Sequence, residues 1–173
     1  MAIFKGDGFV VDDWRFLTQA EELPPDGKII LTLPQWLAIR AWVLHDRPLG
    51  LLLEPGEVLK PGHDLQAIAP DFSRFALIVV AFPKFTDGRG YSLARQLRGA
   101  YKYQGELRAR GEILFDQLQL LARCGFDSFE IEDAVTIQLL ETGRRPRIKT
   151  FYQPALGPEI PERTRPWARL AAN

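Results

Sequence analysis

Hydrophobic and polar positions along this chain change period repeatedly, from unbroken apolar runs to helical spacing and back. Phe75-Ala-Leu-Ile-Val-Val-Ala-Phe82 and Lys28-Ile-Ile-Leu-Thr-Leu33 are short apolar runs that read as strands buried on both faces, as a parallel sheet requires. Leu49-Gly-Leu-Leu-Leu-Glu54 is a third, closed by Pro55-Gly56. Two later stretches alternate instead. From Gly105 to Ile113, Leu107, Ala109 and Ile113 oppose Arg108, Arg110 and Glu112; from Phe126 to Glu132, Phe129 and Ile131 oppose Ser128, Glu130 and Glu132.

Between the strands the period lengthens. Pro34 opens a helix through Trp36, Leu37, Ile39, Ala41 and Val43 that must end before Pro48. Asp64 caps a short helix through Leu65 and Ile68, limited by Pro70. A helix from about Tyr91 to Tyr101 sets Leu93, Leu97 and Ala100 against Arg95 and Arg98. Leu114, Phe115, Leu118, Leu121 and Ala122 make another, stopped at Gly125, and Asp133 caps a last one ending near Gly143.

Strand and helix thus alternate about five times, which predicts one α/β domain over residues 1–153. It has about five mostly parallel strands joined by right-handed crossovers, as an open doubly wound sheet or, alternatively, a partial β/α barrel. Gly8 to Asp12 is expected as an N-terminal edge strand or hairpin arm. Trp36 and Trp42 are read as packing residues, Trp14 and Trp167 as anchors of terminal arms. Proline, arginine and glycine dominate from Arg144, so residues 154–173 are expected as an extended or flexible tail.

Composition narrows the function classes. At 173 residues, 46% hydrophobic and 25% charged, the chain has an ordinary globular balance. Lysine plus arginine equals aspartate plus glutamate at 22 each, so no global field draws in nucleic acid or an anionic membrane, despite Arg144-Arg-Pro-Arg147. The start of the chain lacks the apolar core of a signal peptide, and no window approaches a membrane span. One cysteine, Cys124, rules out an intrachain disulfide framework, a four-thiolate cluster and a CxxC pair, in keeping with a cytoplasmic location. Near the end of its helix, Cys124 reads as a buried, inert thiol. His45 and His63 lack partners at metal spacing, so no metal is expected.

In open parallel sheets ligands gather beyond the carboxyl ends of the strands, and the loop after the apolar strand 75–82 lies there. Lys84, Asp87, Gly88, Arg89, Gly90, Tyr91 and Ser92 make it a candidate: glycines permit close backbone approach, the helix start offers N–H groups, and Arg89 can clamp an anion. Gly88-Arg-Gly90-Tyr-Ser-Leu93 lacks the third glycine of a dinucleotide fingerprint. A plain turn, with Asp87 on Arg89 and Ser92 as cap, and an anion site stand side by side. The second candidate is the charged face of the two alternating strands. It is either a salt-bridge network or the polar wall of a pocket, made by Arg108, Arg110, Glu112 and Glu130, into which Lys84 and Arg89 point.

The run from Phe82 to Arg98, then Gly105-Glu-Leu-Arg-Ala-Arg-Gly111, Asp116-Gln117 and Gly125-Phe-Asp-Ser-Phe129, resembles a bacterial family of unassigned function. Its members are encoded beside assimilatory sulfite reductase and labelled probable oxidoreductases of sulfite reduction. The resemblance runs from about Phe9 to Gln153. It implies a place in sulfur assimilation, though one cysteine cannot ligate the cluster that accompanies sirohaem, so the chain is not the reductase itself. Two functions follow as expectations. One is an accessory protein binding a small anion or a partner reductase, or another sulfur-assimilation enzyme, through residues 84–98, with Asp87, Arg89, Arg95, Arg98 and Arg108 in contact. The other is a small oxidoreductase holding NADPH or a flavin nucleotide, non-covalently, at the same loop. Self-association is left open.

Overall fold

The computed structural model describes residues 2–17, 24, 26–41 and 47–147, with the backbone of 150–151, 159–161 and 169–171. A hairpin, β1 (Ala2–Lys5) and β2 (Gly8–Val10), opens the chain. Six strands follow: β3 (Trp14–Phe16), β4 (Lys28–Thr32), β5 (Leu49–Leu53), β6 (Phe75–Phe82), β7 (Glu106–Gly111) and β8 (Ser128–Ile131). Five helices intervene: α1 (Leu33–Ile39), α2 (Leu65–Ile68), α3 (Arg89–Gly99), α4 (Leu118–Arg123) and α5 (Ala134–Glu141).

The sheet has eight strands in the order β2-β1-β8-β7-β6-β5-β4-β3, three more than the five expected. Pairs from β3 to β8 are parallel, while β1 lies antiparallel between β8 and β2. The hairpin arm expected near Gly8 is therefore real. It joins the far edge of the sheet.

This order corrects the doubly wound expectation. A doubly wound sheet reverses direction at a switch point, whereas β3 to β8 follow one another in sequence order without reversal. Right-handed crossovers repeated in one direction put every helix on one side. The core agrees: Leu33, Trp36, Ile68, Leu93, Leu97, Leu121 and Leu140 share one cluster with Leu51, Ile78, Val80, Leu107 and Phe129. A second cluster on the opposite side, Ile30, Leu77 and Val79 with Trp14, Phe16 and Leu52, contains no helical residue. The sheet curls into a half-barrel, the alternative reading, with helices outside and a concave face within.

Local chemistry sets the elements. Thr32 leaves the strand and caps α1 in a reciprocal box, its N–H donating to Gln35 Oε1 at 2.8 Å. Asp64 accepts from Ala67 N–H at 2.9 Å and Asp133 from Thr136 N–H at 2.7 Å. α1 ends at Ile39, short of Pro48; Trp42, Val43 and His45 lie outside the described residues, as does Trp167. Trp36 is fully buried edge-on to Phe75. In the C-terminal stretch, Thr150–Phe151, Glu159–Pro161 and Arg169–Ala171 pair as a three-stranded antiparallel sheet.

The two glycines of the 84–92 loop have different roles. A Cβ on Gly90 would lie 2.5 Å from the Phe82 ring, so Gly90 exists to let α3 close on β6. Gly88 has a φ of −74°, and a Cβ added there would meet nothing within 4 Å. We expect Gly90→Ala to cost about 1–3 kcal/mol in urea unfolding by overpacking, while Gly88→Ala stays within about 0.5 kcal/mol of the parent.

Candidate binding site

The loop after β6 stands at the carboxyl rim, as expected, and is closed on itself. Asp87 N–H donates to Lys84 O at 2.9 Å, Tyr91 N–H to Gly88 O at 3.2 Å and Phe85 N–H to Glu112 Oε2 at 2.8 Å. Asp87 accepts from Arg89 N–H at 3.1 Å and from the guanidinium at 2.9 and 2.7 Å. The guanidinium and then the backbone N–H of Arg89 hold the Asp87 carboxyl down at about 2. Ser92 is exposed and does not cap; Gly88 is the N-cap residue, without a side-chain bond.

Nor does the structure bring Arg89 and Arg98 together. They sit at opposite ends of α3, about 13 Å of helix apart. Arg98 is at the amino rim, clamping three carbonyls: Gly125 O at 3.0 Å, Tyr103 O at 2.6 Å and Gly105 O at 2.9 Å. Its remaining nitrogen donates to Asp127, which also accepts from Leu107 N–H at 2.8 Å. A cleft of about 470 Å³ lies beside it, lined by Tyr103, Gln104, Phe126 and Asp127 among others, but Arg98 is already spent on these internal bonds. Arg95 lies by the buried Cys124, whose thiol is pushed up by burial against the pull of Arg95, as an inert thiol would be.

The charged ladder is on the concave face. Register sets Arg108 opposite Ser128 and Arg110 opposite Glu130, with Glu106 on the same side. Glu112 departs from it: Gly111, at a φ of +114°, turns the chain across Phe82 O, where a Cβ would sit 2.3 Å away, and Glu112 faces the 84–92 loop instead. Lys84 and Arg89 therefore belong to the rim, not to this wall.

Arg108 is 3% exposed and donates to Asp12 Oδ2 at 2.9 Å and Glu106 Oε1 at 3.2 Å. Glu106 also accepts from Ser128 Oγ at 2.6 Å and Lys5 Nζ at 2.5 Å. Burial pushes Glu106 up, but Lys5, Ser128 and Arg108 bring it below its ordinary value. Glu130 is 0% exposed. Its Oε1 is 3.2 Å from Arg110 Nη1, close enough to attract but misaligned for a hydrogen bond. Both Glu130 oxygens, Arg110 Nη1 and Arg108 Nε are buried without a hydrogen-bond partner. Burial raises the Glu130 pKa over the opposing pull of Arg110 and Arg108, with Asp12 and Glu132 adding to the rise. The Arg110 guanidinium stacks 3.9 Å from the Phe16 ring centroid, so β3 and β7 meet across the curl.

Sequence reading missed Asp12, Lys5, Phe16 and Glu106. Glu106 is legible from the alternation with Arg108 and Arg110; the others come from distant strands and carry no local signal.

A model for a bacterial protein of unknown function (DUF934) matches residues 56–162, beginning and ending later than the 9–153 resemblance. It takes in the 84–98 loop, Arg108, Arg110 and Glu130, and leaves Lys5, Asp12 and Phe16 outside. No curated protein and no solved structure is matched.

Arg98→Met strips three carbonyls and Asp127 of their donor, and we expect a loss of about 2–4 kcal/mol in chemical unfolding. Glu130 holds its proton more tightly folded than unfolded, so its contribution is complete below the free value of about 4.3 and is lost as pH rises through the folded one. The stability of Glu130→Gln relative to the parent should therefore grow as pH rises above about 4, read as the difference between paired urea titrations. Asp87, held low, behaves oppositely: its contribution is present above about pH 4 and is lost as pH falls toward about 2.

Proposed function

We propose that this chain, which belongs to the bacterial family of unknown function matched over residues 56–162, is an accessory protein of assimilatory sulfite reduction that docks a partner reductase through residues 84–98. The sulfur context rests on the resemblance carried by the motif string from Phe82 to Phe129.

One observation carries the docking reading. The N–H groups of Asp87, Arg89 and Tyr91 and the Arg89 guanidinium are committed inside the loop, while Phe85, 46% exposed, stands out from it beside exposed Lys84 and Arg89. Gln117 donates to Phe85 O at 2.9 Å and Glu112 accepts from its N–H, so the aromatic is held on a fixed backbone. An exposed aromatic on a fixed backbone beside a lysine and an arginine is the composition of an interface anchor, and its ordering cost on binding is small. A nucleotide at this loop has less support, because Gly90 is used to pack α3 on Phe82 rather than to admit a phosphate.

The test is retention of assimilatory sulfite reductase on the immobilised full chain. Phe85→Ala should weaken it about tenfold or more with unchanged melting temperature, and Arg89→Glu should weaken it as much while losing the stability of the Asp87 pair and keeping its fold by circular dichroism. No retention by the parent chain, or equal retention by both variants, would sink the reading.

A further inference from the structure

We propose that the concave face of the half-barrel at Arg108, Arg110 and Glu130 is a binding site for a small oxyanion such as a carboxylate or sulfate, and that the anion enters together with a proton taken up by Glu130. The site is separate from the 84–98 loop and does not depend on docking there.

The first support is a local surplus of unused polar atoms. Asp12, Glu106, Ser128 and Lys5 are consumed in bonds to one another and to the terminal nitrogens of Arg108. What remains is on three residues of the same face: Arg108 Nε, Arg110 Nη1 and both oxygens of Glu130, all buried and unbonded, with Arg110 opposite Glu130 in register. Native proteins rarely leave so many such groups on neighbouring residues, and each asks for a partner. A bound anion accepts from the two guanidinium N–H groups, and a neutral Glu130 donates its one O–H. Phe16 holds the Arg110 plane from below, and Arg110, at 31% exposure, is the side of the cluster open to solvent.

The second support is charge balance. Facing Glu130 are Arg108 and Arg110 from β7, Asp12 from the segment before β3 and Glu132 just past β8; β1 places Ile3 opposite it and Lys5 on Glu106. Lys5, Arg108 and Arg110 are matched one for one by Asp12, Glu106 and an ionised Glu130, while Glu132 lies in solvent. An added anion would then be in excess. When Glu130 takes a proton, one positive charge is released and a carboxylate restores neutrality, one negative charge replacing another, whereas sulfate brings one charge more than is released. Burial of Glu130 favours that neutral form.

The experiment is titration calorimetry of the full chain with sodium acetate and, separately, sodium sulfate, at about pH 5.5 and about pH 8, in buffers of different ionisation heat. We expect at least one anion to bind, about tenfold more tightly at the lower pH, with uptake of about one proton at the higher. Glu130→Gln, which keeps the neutral shape, should bind with affinity independent of pH, and Arg110→Met should lose binding while keeping its circular dichroism. If Arg110→Met does not fold, the Glu130→Gln pH profile decides alone. No heat with either anion would mean that water satisfies these atoms. That result overturns the proposal, as would binding unchanged in Arg110→Met or the parent's pH dependence surviving in Glu130→Gln.

Discussion

Because β3 to β8 are parallel neighbours in sequence order, each strand joins the same growing edge, and right-handed crossovers then put the helices on one side of the sheet; among the described residues none covers the other. The rest of the molecule answers that constraint. The outer side buries a large aliphatic and aromatic core. The inner side closes only by curling, with Phe16 of β3 brought against Arg110 of β7. Gly50 assists: a Cβ there would meet the Ile30 side chain at 2.8 Å and Trp14 at 3.2 Å, so its absence lets the β3 aromatics fold inward.

Toward β7 and β8 the inner face changes from Ile30, Leu77 and Val79 to charged residues. Removing charges from water is costly unless every donor and acceptor is matched. Arg108 is nearly matched, through Asp12 and Glu106, with only its Nε left over. Arg110 and Glu130 are not, and an ion pair misaligned at 3.2 Å recovers little of what desolvating a carboxylate at 0% exposure costs. Such a local deficit is poor for stability and is the kind of place where proteins keep function.

Three arginines of one chain show how little residue type says about role. Arg98 has its donors placed on Gly125, Tyr103, Gly105 and Asp127, and ties the loops of the amino rim together. Arg89 is neutralised by its neighbour Asp87 yet remains exposed at the surface. Arg110 stacks on a ring and keeps a buried N–H unbonded. Spacing along α3 places Arg89, Arg95 and Arg98 near one another in the sequence; the helix rise separates the first from the last by the height of the sheet.

Local pattern was enough to locate β4 to β8, the caps at Asp64 and Asp133, and the opposed faces of Leu107 and Arg108 or Phe129 and Glu130, because period and capping act over a few residues. It also sufficed for the Asp87–Arg89 pair, two residues apart. The winding sense, the eight-strand count and the partners of the charged face were decided only by tertiary structure. Asp12 reaches Arg108 across 96 residues, and no local period carries information about which strand will curl over which. The same limit explains Gly90, whose purpose is visible only once Phe82 lies beneath it.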